Sequence, residues 1–211
     1  VRSRRQRQMC IRDSVGIVGD AQCLPDTEPD EPRIDSNGWY TPAWYRGITA
    51  YEAALEQLKT KGVDLILDVG DIGNEGIPEV WEDYRETFLK VFPDEETRPE
   101  YLYVMGNHDY HVNLVYDTPE GKRTDFNRIF EKESSNEHKV IDGYHFIGIT
   151  CQNSGSDYSN ETIVWLEQQL KEATQDDPSK PIFVIGHAPV TGTVYGSVSY
   201  THLTLPTTPY V

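Results

Sequence analysis

Asp20, Asp71, Asn107-His108-Asp109 and His187 share one kind of position: each follows a short apolar run of the chain. The runs are Val15 to Gly19, Val63 to Val69, Tyr101 to Met105 and Pro181 to Ile185. Carboxylate, amide carbonyl and imidazole together form a donor set suited to Mn²⁺, Fe or Zn²⁺. Two such cations about 3.5–4 Å apart, sharing one carboxylate, clamp a phosphoryl group and lower the pKa of bound water. One acidic residue behind an apolar run is ordinarily a turn former or a helix cap. Several in succession, with glycines that let the backbone turn tightly beside a ligand, point instead to a shared site.

Side chains so far apart in the chain meet only if the fold brings their strands side by side. The apolar runs read as buried strands. Between them lie helical patterns. Tyr45, Ile48, Leu55 and Leu58 fall on one face, closed by Gly62, and Trp81, Tyr84, Phe88 and Val91 on another, stopped by Pro93. A short helix is expected around Phe126 to Phe130, then strands at His138–Ile141 and Tyr144–Thr150 joined by an Asp142-Gly143 turn. Ile163, Leu166, Leu170 and Ala173 mark a further helix before the last run. Pro25 to Asn37 reads as a long loop. Strands alternating with helices predict an α/β domain with a mainly parallel sheet, whose ligand site lies beyond the carboxyl ends of the strands. The polar residues above stand at those ends.

Gly19-Asp20-Ala21-Gln22, Gly70-Asp71-Ile72-Gly73-Asn74, Gly106-Asn107-His108-Asp109 and Gly186-His187-Ala188-Pro189 resemble the successive motifs of the calcineurin-like metallophosphoesterases. The resemblance implies a two-sheet β-sandwich flanked by helices, in α/β/β/α layers. It also implies hydrolysis of a phosphomonoester, phosphodiester or nucleotide pyrophosphate by a dinuclear metal centre, a hydroxide between the metals attacking phosphorus in line. By the same resemblance Asp20 and Gln22 would serve the first metal, Asp71 both, and Asn107 and His187 the second. His108 would protonate the leaving oxygen with Asp109 as its orienting partner. Asn74, within the second motif, and His111, which has no motif support but stands near the site, are candidate substrate contacts. The first motif usually reads Asp-x-His. The Asp-x-Gln found here is similar to a branch that includes manganese-dependent ADP-ribose/CDP-alcohol diphosphatases, and a neutral amide oxygen shifts the preference among Mn, Fe, Zn and Mg toward Mn²⁺.

The family's final Gly-His-x-His is not found, and two features of the ends bear on this. Residues 1–14 carry five Arg and one Asp, and residues 198–211 carry no charge. A DNA string encoding Met9–Asp13 has a reverse complement that encodes Val198–His202, so both ends resemble translated sequencing adapter and are set aside from fold reasoning. The expectation is a domain at 15–197 whose C-terminal part is missing, with His202 no ligand. The alternative is an inactive fragment of the same fold acting as a binding module.

Composition narrows the partners. The 211 residues, 37% hydrophobic and 26% charged, suffice for one domain with a core. Net charge is −16, and residues 15–197 alone hold 14 basic and 34 acidic side chains, net −20. Such a surface repels nucleic-acid backbone and anionic lipid, whereas metal ions in a site would still draw a small phosphorylated substrate. No apolar run is long enough to span a membrane. No protein partner and no cellular compartment can be read from the chain. Three irregularly spaced cysteines exclude a disulfide framework. His138 and His145 have no motif support, and His145 reads as structural. Asp68, within a strand, reads as an internal hydrogen-bond acceptor. Tyr40, Trp44 and Tyr45 read mainly as packing.

Overall fold

A computed structural model describes residues 14–24, 33–34, 40–41, 47–111, 118–155 and 157–189. In chain order the elements are β1 (Val15–Val18), β2 (Arg33–Ile34), β3 (Tyr40–Thr41), α1 (Gly47–Lys61), β4 (Leu65–Asp68), α2 (Pro78–Val91) and β5 (Glu100–Tyr103). A one-turn 3-10 helix (His108–Tyr110) follows, then α3 (Pro119–Ile129), β6 (Glu137–Ile141), β7 (Tyr144–Ile149), α4 (Asn160–Asp176) and β8 (Ile182–Gly186).

The main strands form two sheets rather than the single, mainly parallel one that alternation predicts. β1, β4 and β5 pair in parallel in the order β1-β4-β5. β6, β7 and β8 make a second, mixed sheet, with β6-β7 antiparallel and β7-β8 parallel. The reason lies in the faces. Leu65 and Leu67 of β4 alternate with Ile66 and Asp68, and the strand is buried on both sides. One face, Leu65, Leu67 and Leu102 with Val104, packs on Phe146 and Ile185 of the second sheet. Gly148 permits the close approach: a Cβ there would stand 2.5 Å from the Leu102 side chain.

The other face of the first sheet, Ile66, Tyr101 and Tyr103, packs with Tyr51 and Leu55 of α1, Trp81, Tyr84 and Phe88 of α2, and Phe126 of α3. On the outside of the second sheet, Ile147 and Ile149 meet Leu166 of α4. The layers are therefore helices, sheet, sheet, helix. Each buried aromatic or aliphatic side chain contributes roughly 1.5–3 kcal/mol to holding them.

Local signals explain the boundaries. Gly62 takes φ +67 after α1, and Pro78 opens α2. Asp142 (φ 51) and Gly143 (φ 77) turn the β6-β7 hairpin in left-handed conformations. The helix expected near Phe126 starts earlier, because Thr118 Oγ1 accepts the Gly121 N–H at 3.0 Å and Pro119 suits a first helical position. Arg33–Ile34, inside the stretch expected to be all loop, pairs with Tyr40–Thr41 just beyond it as a short antiparallel ladder. Trp44, Tyr45, the side chain of Tyr40, residues 1–13 and residues 190–211 lie outside the described residues. No described helix is long and apolar enough to cross a membrane.

Candidate metal centre

The carboxyl ends of β1 and β4 continue as two loops laced together by backbone hydrogen bonds. The N–H groups of Asp20, Gln22 and Cys23 donate to the carbonyls of Gly70, Asp71 and Ile72 at 2.9, 2.9 and 2.8 Å. This lacing holds the backbone where side chains rarely allow it. Asp20 (φ 52), Gln22 (φ 45) and Asp71 (φ 55) are all left-handed, beside Gly70 at φ +94. Non-glycine residues there are strained by about 1–3 kcal/mol each and persist where surrounding structure enforces them. Gly70 cannot be replaced cheaply, since a Cβ would lie 2.5 Å from the Gly106 nitrogen.

Asp71 is the buried centre of the group, 2% exposed. Its Oδ1 accepts the His108 N–H at 2.9 Å. Its Oδ2 meets Gln22 Nε2 at 3.4 Å and His187 Nε2 at 3.3 Å. One carboxylate oxygen of Asp20, one of Asp71 and a ring nitrogen of His187 lie within 4.8 Å of one another. A half-rotation of the Gln22 amide would bring its oxygen to the same point.

His187 reveals what the group lacks. Its Nδ1 is 3.0 Å from the Val69 carbonyl, which can only accept, so Nδ1 carries the proton. In the neutral ring Nε2 then presents a lone pair, yet it faces Asn107 Oδ1 at 3.0 Å and Asp71 Oδ2 at 3.3 Å. Both oxygens are acceptors. In that neutral ring, with the Asn107 amide oxygen turned to it, three electron-pair donors converge, and a backbone carbonyl holds the tautomer through the opposite nitrogen, the usual support of a metal-binding histidine. The donor set therefore fits a divalent cation.

Around this point the remaining expected residues divide. The His108 ring is oriented through Nδ1, 3.2 Å from the Asn74 carbonyl oxygen. His111 packs on it, ring centroids 4.5 Å apart, and burial followed by the His108 charge lowers the His111 pKa. Asp109, expected to orient His108, engages four N–H groups with its oxygens. It is fully buried, and its oxygens accept the N–H groups of Ile72 (3.3 Å), Gly73 (3.0 Å) and Gly106 (2.9 Å) and the Trp81 indole (3.1 Å). With those donors around it, the carboxylate clamps the loops after β4 and β5 together. Burial, reinforced by the Asp71 charge, raises its pKa to about 6 despite these hydrogen bonds. Asn74 acts on His108 through its main chain, and its Oδ1 is buried without a hydrogen-bond partner among the described residues.

Sequence reasoning missed the groups that aim the histidines, the carbonyls of Val69 and Asn74, because main-chain atoms carry no residue signature. It also read Trp81 only as part of an apolar stripe, although an indole N–H facing a buried carboxylate is a signal that a helix wheel conceals. The place expected for a Gly-His-x-His, after residue 197, and His202 lie outside the described residues.

A sequence model of the calcineurin-like phosphoesterase family matches residues 14–206. Comparison with curated protein sequences finds no match. Among solved structures, the crystal structure of a dimetal phosphatase from Danio rerio is similar in fold, with a TM-score of 0.55 at 11% identity over 83% of this chain and 69% of that one.

Proposed function

The chain belongs to the calcineurin-like phosphoesterase family, and on that footing we propose that it hydrolyses a phosphoester bond of a small phosphorylated molecule using two divalent cations, Mn²⁺ favoured. The observation that carries this reading is the His187 Nε2 lone pair facing the oxygens of Asn107 and Asp71. Asp20, Gln22 and Asp71 would hold one cation, and Asp71, Asn107 and His187 the other. When bound, the cations supply charge neutralisation at the phosphoryl oxygens and lower the pKa of a coordinated water.

The chain's own residues do the rest. The His108 N–H fixes one oxygen of Asp71, so the carboxylate keeps its other oxygen toward His187. The His108 ring, held by the Asn74 carbonyl, is the proposed general acid for the leaving oxygen. His111, stacked on that ring, is proposed to contact the departing part of the substrate, and Asn74 to serve it by steadying His108. A surface with a net charge of −16 gives long anionic polymers no purchase, which favours small substrates.

The test is Mn²⁺ titration followed by metal analysis and hydrolysis of bis-p-nitrophenyl phosphate and p-nitrophenyl phosphate. The expected result is stoichiometric Mn²⁺ and hydrolysis abolished by chelator. Bound Mn²⁺ without turnover would favour a binding module, and no bound metal would overturn the reading.

A further inference from the structure

Beneath the metal centre lies a polar group the proposed chemistry does not use. Asp68 is completely buried in β4, on the face turned to α1 and α2. Its Oδ2 accepts the hydroxyls of Tyr84 at 2.8 Å and Tyr101 at 3.1 Å. Tyr101 shares a hydrogen bond of 2.9 Å with the Tyr51 hydroxyl, and the Tyr51 ring stacks on Tyr84 at 3.5 Å. The remaining oxygen, Oδ1, accepts the N–H of Gly70 at 3.1 Å, closing a turn two residues long. Burial raises the Asp68 pKa to about 7. A carboxylate held among tyrosine hydroxyls without a cation among these partners costs desolvation that an apolar residue would avoid.

What hangs from that turn gives the arrangement its meaning. The Val69 carbonyl holds His187, the Gly70 carbonyl holds Asp20, and the Asp71 carbonyl holds Gln22. A rotation of the turn would therefore displace these proposed ligands together. We infer that Asp68, clamped by Tyr84 and Tyr101, is a positioning residue that sets the Gly70 turn and thereby registers the metal ligands with one another. This extends the metal-centre reading, and its effect is felt through Gly70 rather than by contact with any ion or substrate.

The experiment compares wild type with Asp68→Ala, Asp68→Asn and the double variant Tyr84→Phe/Tyr101→Phe. Leu166→Ala, far from the turn under α4, serves as a generally destabilised control. Two quantities are read on folded protein: Mn²⁺ affinity, and the ¹⁵N signals of the His187 ring without metal, which report whether Nδ1 holds the proton. Asp68→Ala is expected to weaken Mn²⁺ binding by about 10–100-fold and to disturb the His187 signals. Asp68→Asn keeps an oxygen for the Gly70 N–H and an amide for the tyrosines, so both quantities should stay close to wild type. The tyrosine double variant should show a smaller loss in the same direction, and Leu166→Ala none.

Wild-type affinity and His187 signals in Asp68→Ala would overturn the inference, as would equal losses in Asp68→Ala and Asp68→Asn. Should Asp68→Ala fail to fold, the tyrosine variant decides, and wild-type behaviour there overturns it. If wild type bound no Mn²⁺, the metal reading would fall, while the metal-free ¹⁵N comparison would still decide whether Asp68 sets the turn.

Discussion

The histidines of the metal centre and those of the second sheet are held in opposite ways. His138 and His145 are diagonal neighbours across the β6-β7 hairpin, on the face covered by α4. The Gln169 side-chain amide lies 2.7 Å from His138 Nδ1; with its NH₂ turned to that nitrogen, His138 Nε2–H donates to His145 Nδ1 at 2.8 Å and His145 Nε2–H to Asp176 Oδ2 at 3.2 Å. Gln169 and Asp176 stand about two turns apart on one side of α4 and bracket the pair. Both nitrogens of both rings are thus used by the protein itself. His187 uses one nitrogen on a backbone carbonyl and turns the other toward two oxygens that cannot donate. Proximity of histidines is common to both regions. What separates a ligand from a strut is whether the second nitrogen has a protein partner of the opposite hydrogen-bonding kind.

The contrast breaks most sharply at Asp71. Asp71→Asn should lower Mn²⁺ occupancy at both proposed positions, with a loss in affinity beyond the about 10–100-fold typical of outer-shell changes, measured by metal analysis after dialysis. Unchanged two-metal stoichiometry would remove the shared role. Next in size, His108→Ala should cut kcat by about 10²–10⁴-fold in Mn²⁺-loaded protein while metal content survives. Equal loss of metal would make His108 a ligand. Asp109→Ala, which strips four N–H donors of their acceptor, should cost at least about 3 kcal/mol in urea unfolding.

Smaller effects sharpen the same division. Asp68 keeps its proton in the folded chain up to about pH 7, against an ordinary value of 3.8. The folded state therefore binds more protons than the unfolded one between those values, and Asp68 makes stability fall as pH rises from about 4 to 7. The slope from this group is at most about 1.4 kcal/mol per pH unit. Tyr84, Tyr101 and the Asp109 charge face the same carboxyl, and Asp68→Asn should flatten this part of the curve in urea titrations at stepped pH. Least of all, His138→Gln should cost about 1 kcal/mol of stability and leave Mn²⁺ affinity untouched. A change in metal affinity would join two regions that the hydrogen bonds hold apart.

Much of this was legible in the residues. Strand ends at Asp20, Asp71, Asn107 and His187 followed from apolar runs ended by polar residues, since a buried strand must leave the core where its polar side chains begin. Sheet number was not legible in the alternation, and only the family resemblance implied two sheets. Alternating strands and helices look alike whether β7 extends the first sheet or packs on it; here it packs, with Gly148 close against Leu102. The hydrogen bonds of Asp109 were hidden for a related reason: beside His108 in sequence, it is buried in the core, because adjacent residues of a tight 3-10 turn point in different directions.

By itself, then, the sequence determined which donor types are available, that they fall behind apolar runs, and that the chain carries a net charge of −16, all of which depend on residue identity and order alone. The tertiary structure alone decided which lone pairs face one another. That depends on the carbonyls of Val69 and Asn74, on left-handed turns at Asp20, Gln22 and Asp71, and on the Asp68 contact with Gly70. Every residue but proline offers the same main-chain groups, so only their position in space can give them a task.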